Sequence, residues 1–104
     1  MEISITNPHP GIILKEEFLD ELGMTMSTLS EATGIPKNLV RQFVKGKRSI
    51  SAETDLRLSK FFGLKEGYWL RLQNQFDLIE AKRGNLALTL IQPYQYEFDL
   101  KGII

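Results

Sequence analysis

The chain has 104 residues, 42% apolar and 25% charged, and its thirteen cations balance thirteen anions. That length builds one core rather than two, and a neutral balance excludes an indiscriminate polyanion binder. The absence of cysteine excludes disulfides and thiolate metal sites and suits a reducing cytoplasm.

No apolar run approaches the ~20 residues of a membrane span. The opening MEISITNPHPG has neither the basic nor the apolar region of a secretion signal, so a cytoplasmic protein with no membrane partner is expected. Pro10-Gly11 then leads into IILKEEFLDELG, where Ile13/Leu14, Phe18 and Leu22 form a helical stripe and Gly23 supplies a left-handed cap. Thr25 is the expected N-cap of a second helix, about 26–33, with Leu29 and Ala32 facing inward. Gly34 provides the positive φ of a tight turn, and Pro36 suits the first turn of a third helix, about 36–44, stopped by Gly46. Ser51 is the expected N-cap of a fourth helix, about 52–62, with Leu56, Leu58 and Phe61/Phe62 apolar. A fifth runs about 66–82, carrying Trp69, Leu70, Leu72, Phe76 and Ile79, and breaks at Gly84-Asn85. Five short helices with short connections predict an all-α domain over 1–83, followed by a tail over 84–104. In the tail, Leu86, Leu88 and Leu90, then Tyr94, Tyr96, Phe98 and Leu100, recur at period two, which predicts a short extended, β-like segment, one kinked strand or two paired ones, lying near Trp69 and the fifth helix.

The third helix carries the densest chemistry. From residue 37 to 48 there are five cations and no anion, in a chain that is otherwise balanced. Val40, Phe43 and Val44 define its inward stripe, while Lys37, Asn38, Arg41, Gln42 and Lys45 fall on the other side. Arg and Lys match the O6/N7 acceptors of guanine, and Asn and Gln match the donor–acceptor pair of adenine. Lys37, Asn38, Arg41 and Gln42 are therefore candidate base readers, and Lys45, Lys47 and Arg48 candidate phosphate contacts. A bare solvated basic face is the competing reading of this cluster. Leu39 is expected to pack rather than to meet a thymine methyl.

TMSTLSEATGIPKNLVRQF resembles the helix-turn-helix of the lambda-repressor-like (Xre-type) DNA-binding proteins, placing that motif at about 25–44. Leu29, Gly34, Ile35, Val40 and Phe43 hold its apolar and glycine positions. The wider frame, HPGIILKEEFLDELGM, then GKRSISAETDLRLSKFFG, then YWLRLQNQFDL, resembles the HigA-type (VapI-type) antitoxins across about two thirds of the chain. The resemblance implies a protein that neutralises a RelE-like endoribonuclease toxin and represses its own operon, usually as a homodimer reading operator DNA in the major groove. Met26 departs from the pattern, standing where these motifs usually have a phosphate-touching Gln, and Ser30 replaces the usual Ala. Met26 removes one phosphate anchor, and Thr25, Ser27 or Thr28 could supply another.

Other residues admit two readings each. Tyr68, Trp69 and Leu72 suit a dimer interface or the core, and core is the better assignment for Trp69. Glu16, Glu17, Asp20 and Glu21 suit a basic toxin or are simply a solvated helix face. His9 has no second ligand at metal spacing and is expected to cap or orient the first helix. With no nucleophile–base pair and no metal set, neither enzyme nor cofactor is expected. The rival functions are a stand-alone repressor without a toxin, and a protein-binding inhibitor whose DNA face has lapsed.

Overall fold

The computed structural model describes residues 7–96, and among these every regular element is helical. Helix α1 is built from Pro10–Ile13, a π-helical stretch Leu14–Leu19, and Asp20–Leu22. It is followed by α2 (Met26–Thr33), α3 (Lys37–Val44), α4 (Ala52–Phe62) and α5 (Tyr68–Lys82). The expected caps are present. Thr25 Oγ1 accepts from the Thr28 N–H at 3.1 Å, and Ser51 Oγ from the Thr54 N–H at 3.2 Å. Gly23 and Gly63 close α1 and α4 in the left-handed region.

Helix α1 packs on α3 and α5, α2 on α3 and α4, and α4 on α5. They enclose Leu14, Leu19, Leu29, Ile35, Val40, Phe43, Ile50, Leu58 and Trp69. Trp69 is fully buried, its ring meeting Phe18 at 5.1 Å and Tyr68 at 5.1 Å, while Tyr68 and Leu72 are half-buried against the core. These aromatics are core rather than an open surface.

The inward positions of α1, α2 and α4 hold surprises. Leu22 is exposed and Leu19 is buried in its place. The π turn explains this, because its i→i+5 bonds stack residues five apart, and Leu14 and Leu19 are five apart. On α2, Ala32 is exposed and Thr33 is buried, where its hydroxyl donates to the Leu29 carbonyl at 2.7 Å. On α4, Leu56 is exposed and Asp55 takes the inward position. The Asp55 carboxylate accepts the N–H groups of Gly67, Trp69 and Leu70 at 2.7, 2.7 and 3.1 Å. It thereby satisfies the first turn of α5, whose own N-cap, Gly67, has no side chain to do so.

The tail also differs. Leu86–Leu90 forms a 3-10 turn instead of a strand, and residues 91–96 have no regular secondary structure. Phe98 and Leu100, the far end of the period-two pattern, lie outside the described residues. Every side chain from Leu86 to Tyr96 is exposed, so these residues add nothing to the buried core.

Candidate nucleic-acid interface

Helices α2 and α3 meet through a three-residue turn held on every side. Gly34 takes φ +78°, and its N–H donates to the Ser30 carbonyl at 2.8 Å. Ser30 Oγ donates to the Ile35 carbonyl, and Thr33 Oγ1 accepts from the Ile35 N–H at 3.2 Å. Ser30 thus stitches the turn with a hydroxyl that an alanine would lack. Arg57 of α4 donates to the Thr33 carbonyl at 2.8 Å and pairs with Glu53 at 2.9 Å, placing a cation on the C-terminal end of α2. Pro36 is the N-cap of α3 rather than its first helical residue, and its carbonyl accepts from Leu39 and Val40.

At 100° per residue, Lys37, Arg41, Lys45, Asn38 and Gln42 share one arc of about 140°, and Leu39, Val40, Phe43 and Val44 fill the opposite side. Val40 and Phe43 are buried, and Leu39 is half-buried against the core, which supports its packing assignment. Lys37, Asn38 and Lys45 are exposed; Arg41 and Gln42 are half-buried at the base of the arc. Arg41 donates to Asn38 Oδ1 at 3.2 Å, and Arg48 donates to Gln42 Oε1 at 3.0 Å. Gly46, at φ +74°, ends α3 and turns the exposed Lys47 and Arg48 back alongside the arc.

At the start of α2, Thr25 and Thr28 are exposed with their hydroxyls in contact at 3.1 Å, and Ser27 is half-buried. Met26 packs against the core. The position that would carry a phosphate-touching glutamine has gone over to packing, and three hydroxyls remain around it.

Two residues fix α3 from behind: Gly11, whose close approach the sequence did not reveal, and His9, in the capping role expected of it. Gly11 lies against its C-terminal turn so closely that an added Cβ would stand 1.7 Å from the Phe43 carbonyl oxygen. His9 caps α1, its Nδ1 accepting from the Gly11 N–H at 2.9 Å, and its ring meets Phe43 at 5.4 Å and Phe76 at 5.0 Å. Burial pushes the His9 pKa below its ordinary 6.5, outweighing the nearby Asp77 carboxylate and a hydrogen bond to the Arg48 backbone. The imidazole is therefore neutral at pH 7, as an accepting Nδ1 requires. The acidic residues of α1 are exposed, and Asp20 is engaged by Lys15 at 2.7 Å.

A family model described as helix-turn-helix matches residues 14–69. The virulence-associated protein I of Dichelobacter nodosus is 34% identical over 85 residues, covering 82% of this chain and 79% of that protein. Among solved structures, the HigA-family addiction-module antidote protein of Coxiella burnetii is 39% identical, with a TM-score of 0.78 over 86% of this chain and all of that one. The Pseudomonas aeruginosa antitoxin HigA, solved with the higBA promoter, is 30% identical, with a TM-score of 0.79 over the same shares.

Proposed function

Since the chain belongs to the helix-turn-helix family, as a HigA-type antitoxin of the lambda-repressor-like class, we propose that it binds its own operator and neutralises a partner toxin. The observation that carries this reading is the α3 arc, where five cations without an anion surround two amide side chains on a turn braced by Gly34, Ser30 and Arg57. Lys37, Asn38, Arg41 and Gln42 read base edges in the major groove. Lys45, Lys47 and Arg48, with Thr25 and Ser27 at the start of α2, hold phosphates. Two copies acting as a homodimer present two such helices to successive major grooves about 34 Å apart, so the operator is palindromic. The toxin is a small, basic RelE-like endoribonuclease, bound away from the cationic arc because like charges repel. The chain carries out no chemistry and acts by stoichiometric occlusion in the cytoplasm. No helix among the described residues is long and apolar enough to cross a membrane.

Binding to the promoter DNA upstream of the gene, measured by fluorescence anisotropy across a salt series, tests the reading. Arg41→Ala weakens specific binding by about 1–3 kcal/mol, the value of a bidentate base contact. Lys47→Ala weakens specific and random DNA alike and lowers the salt slope by about one. Unchanged operator affinity for Arg41→Ala at fixed salt refutes the assigned register.

A further inference from the structure

Gln73, in the YWLRLQNQFDL block, is a polar side chain taken into the core. It is 5% exposed and lies one turn after Trp69 on the inner face of α5. Its Oε1 accepts the Ile50 N–H at 3.0 Å, across 23 positions of sequence, and its Nε2 donates to Asp77 Oδ1 at 3.0 Å. The Asp77 carboxylate can only accept, so it holds the NH2 end of the amide and turns the oxygen toward Ile50. A side chain needed only to fill this place would be apolar, because a buried amide costs free energy unless it is bonded. Here the amide is directed at the segment that joins α3 to α4.

That segment has no regular secondary structure from Lys47 to Ser51; Lys47, Arg48 and Ser49 are exposed on it, and Ile50 is buried. Three elements tie it down. From α3, the Gln42 carbonyl accepts the Lys47 N–H at 2.9 Å. From the head of α1, His9 hydrogen-bonds to the Arg48 backbone and lies against Gly46, where an added Cβ would stand 3.6 Å from its ring. From α5, Gln73 holds the far end at Ile50. Lys47 and Arg48 stand between these ties. We propose that Gln73 is a positioning residue for DNA-backbone contact: by fixing the Ile50 N–H it holds the 46–50 segment so that Lys47 and Arg48 meet phosphates together. The proposal rests on the operator binding proposed above and gives α5 a part in it, although no α5 residue is among the proposed contacts. Cations on a slack segment must give up backbone freedom when they bind; on a segment already pinned, that loss is taken at folding. Phosphate contact carries no sequence information, so the device raises affinity for any duplex and leaves base reading to α3.

The test is fluorescence anisotropy with the operator and with a random duplex across a salt series, on wild type, Gln73→Met and Gln73→Glu/Asp77→Asn. Circular dichroism verifies that each is folded at the assay temperature. Methionine keeps the length of glutamine and packs in its place, but offers no amide oxygen to Ile50. The double variant keeps the net charge and restores both bonds with roles exchanged, the new carboxylate accepting from Ile50 and the new amide donating to it. The proposal expects Gln73→Met to lose about tenfold on both duplexes, to keep their affinity ratio within about twofold, and to lower the salt slope by about one to two. The double variant recovers the slope. If Gln73→Met melts too low to assay, Gln73→Asn, shorter by one methylene, stands in for it. A folded variant with the wild-type slope makes Gln73 a packing residue and overturns the proposal. Loss on the operator alone, with random DNA unchanged, moves its influence to the base readers of α3 and overturns it too. A wild-type chain with no salt-dependent DNA binding overturns the operator reading itself, and the proposal with it.

Discussion

Replacing Gly11 with alanine would set a Cβ 1.7 Å from the Phe43 carbonyl oxygen, 2.5 Å from its carbon and 2.9 Å from the Val44 Cα. All three are backbone atoms, so no rotamer change relieves the contact. Restoring an ordinary 3.4 Å separation requires α1 and α3 to part by roughly 1.7 Å. An opening of that size loosens Leu14 and Phe43 in the core and costs about 2–4 kcal/mol. For a domain of this size the midpoint of thermal unfolding then falls by roughly 10–20 °C. Because the part pushed is the C-terminal turn of α3, operator affinity also falls, by about tenfold or more at a temperature where the variant is folded. Gly23→Ala is the control. Nothing lies within 4 Å of its Cβ and only its φ of +63° is unfavourable, so it costs about 1–2 kcal/mol and leaves DNA binding intact. Thermal unfolding by circular dichroism and anisotropy on the operator read both effects. A Gly11→Ala protein that melts within about 2 °C of wild type, with unchanged affinity, refutes the close approach.

Acid should weaken the fold through His9. As pH falls below about 6.5 the unfolded chain takes up the proton first, because burial holds the folded imidazole neutral. Stability is full above that value and declines toward the lowered folded pKa. His9→Asn keeps an acceptor for the Gly11 N–H but cannot titrate, so denaturant unfolding at pH 7.5 and pH 5 should show less acid loss than wild type; equal losses exclude His9 as the source. A Lys37→Ala/Arg41→Ala variant should still rescue cells from the toxin while failing to repress. Simultaneous loss of both activities in a folded variant would show that toxin and operator share a face.

The α3 arc was legible in sequence because eight residues at fixed helical spacing determine which side chains share a side. The hydroxyl caps at Thr25 and Ser51 were legible for the same reason, since each acts within three residues of itself. What escaped depends on distance or on a change of helical period. Gly11 touches a residue 32 positions away, and nothing local distinguishes it from an ordinary turn glycine. Asp55 sits in a polar stretch and reads as surface until the start of α5 is laid over it. Leu22 occupied the right place in an i, i+4 stripe, but the π turn shifts the following residues to a different face. The alternating leucines of 86–90 imply a strand only where a neighbouring strand exists, and within one copy there is none among the described residues; a 3-10 turn forms there instead.

The two hydrogen bonds on the arc, Arg41 to Asn38 and Arg48 to Gln42, bear on how the proposed base readers would act. Each amide already lends its oxygen to a guanidinium, so under the proposed function the side chains would meet the groove in couples, partly oriented and partly satisfied. Binding trades one hydrogen bond for another, and less rotamer freedom remains to be lost. Changing Asn38 releases Arg41, and changing Gln42 releases Arg48, so single substitutions within a couple are not additive. If these residues read the operator as proposed, the natural letter of the recognition code is the couple rather than the residue.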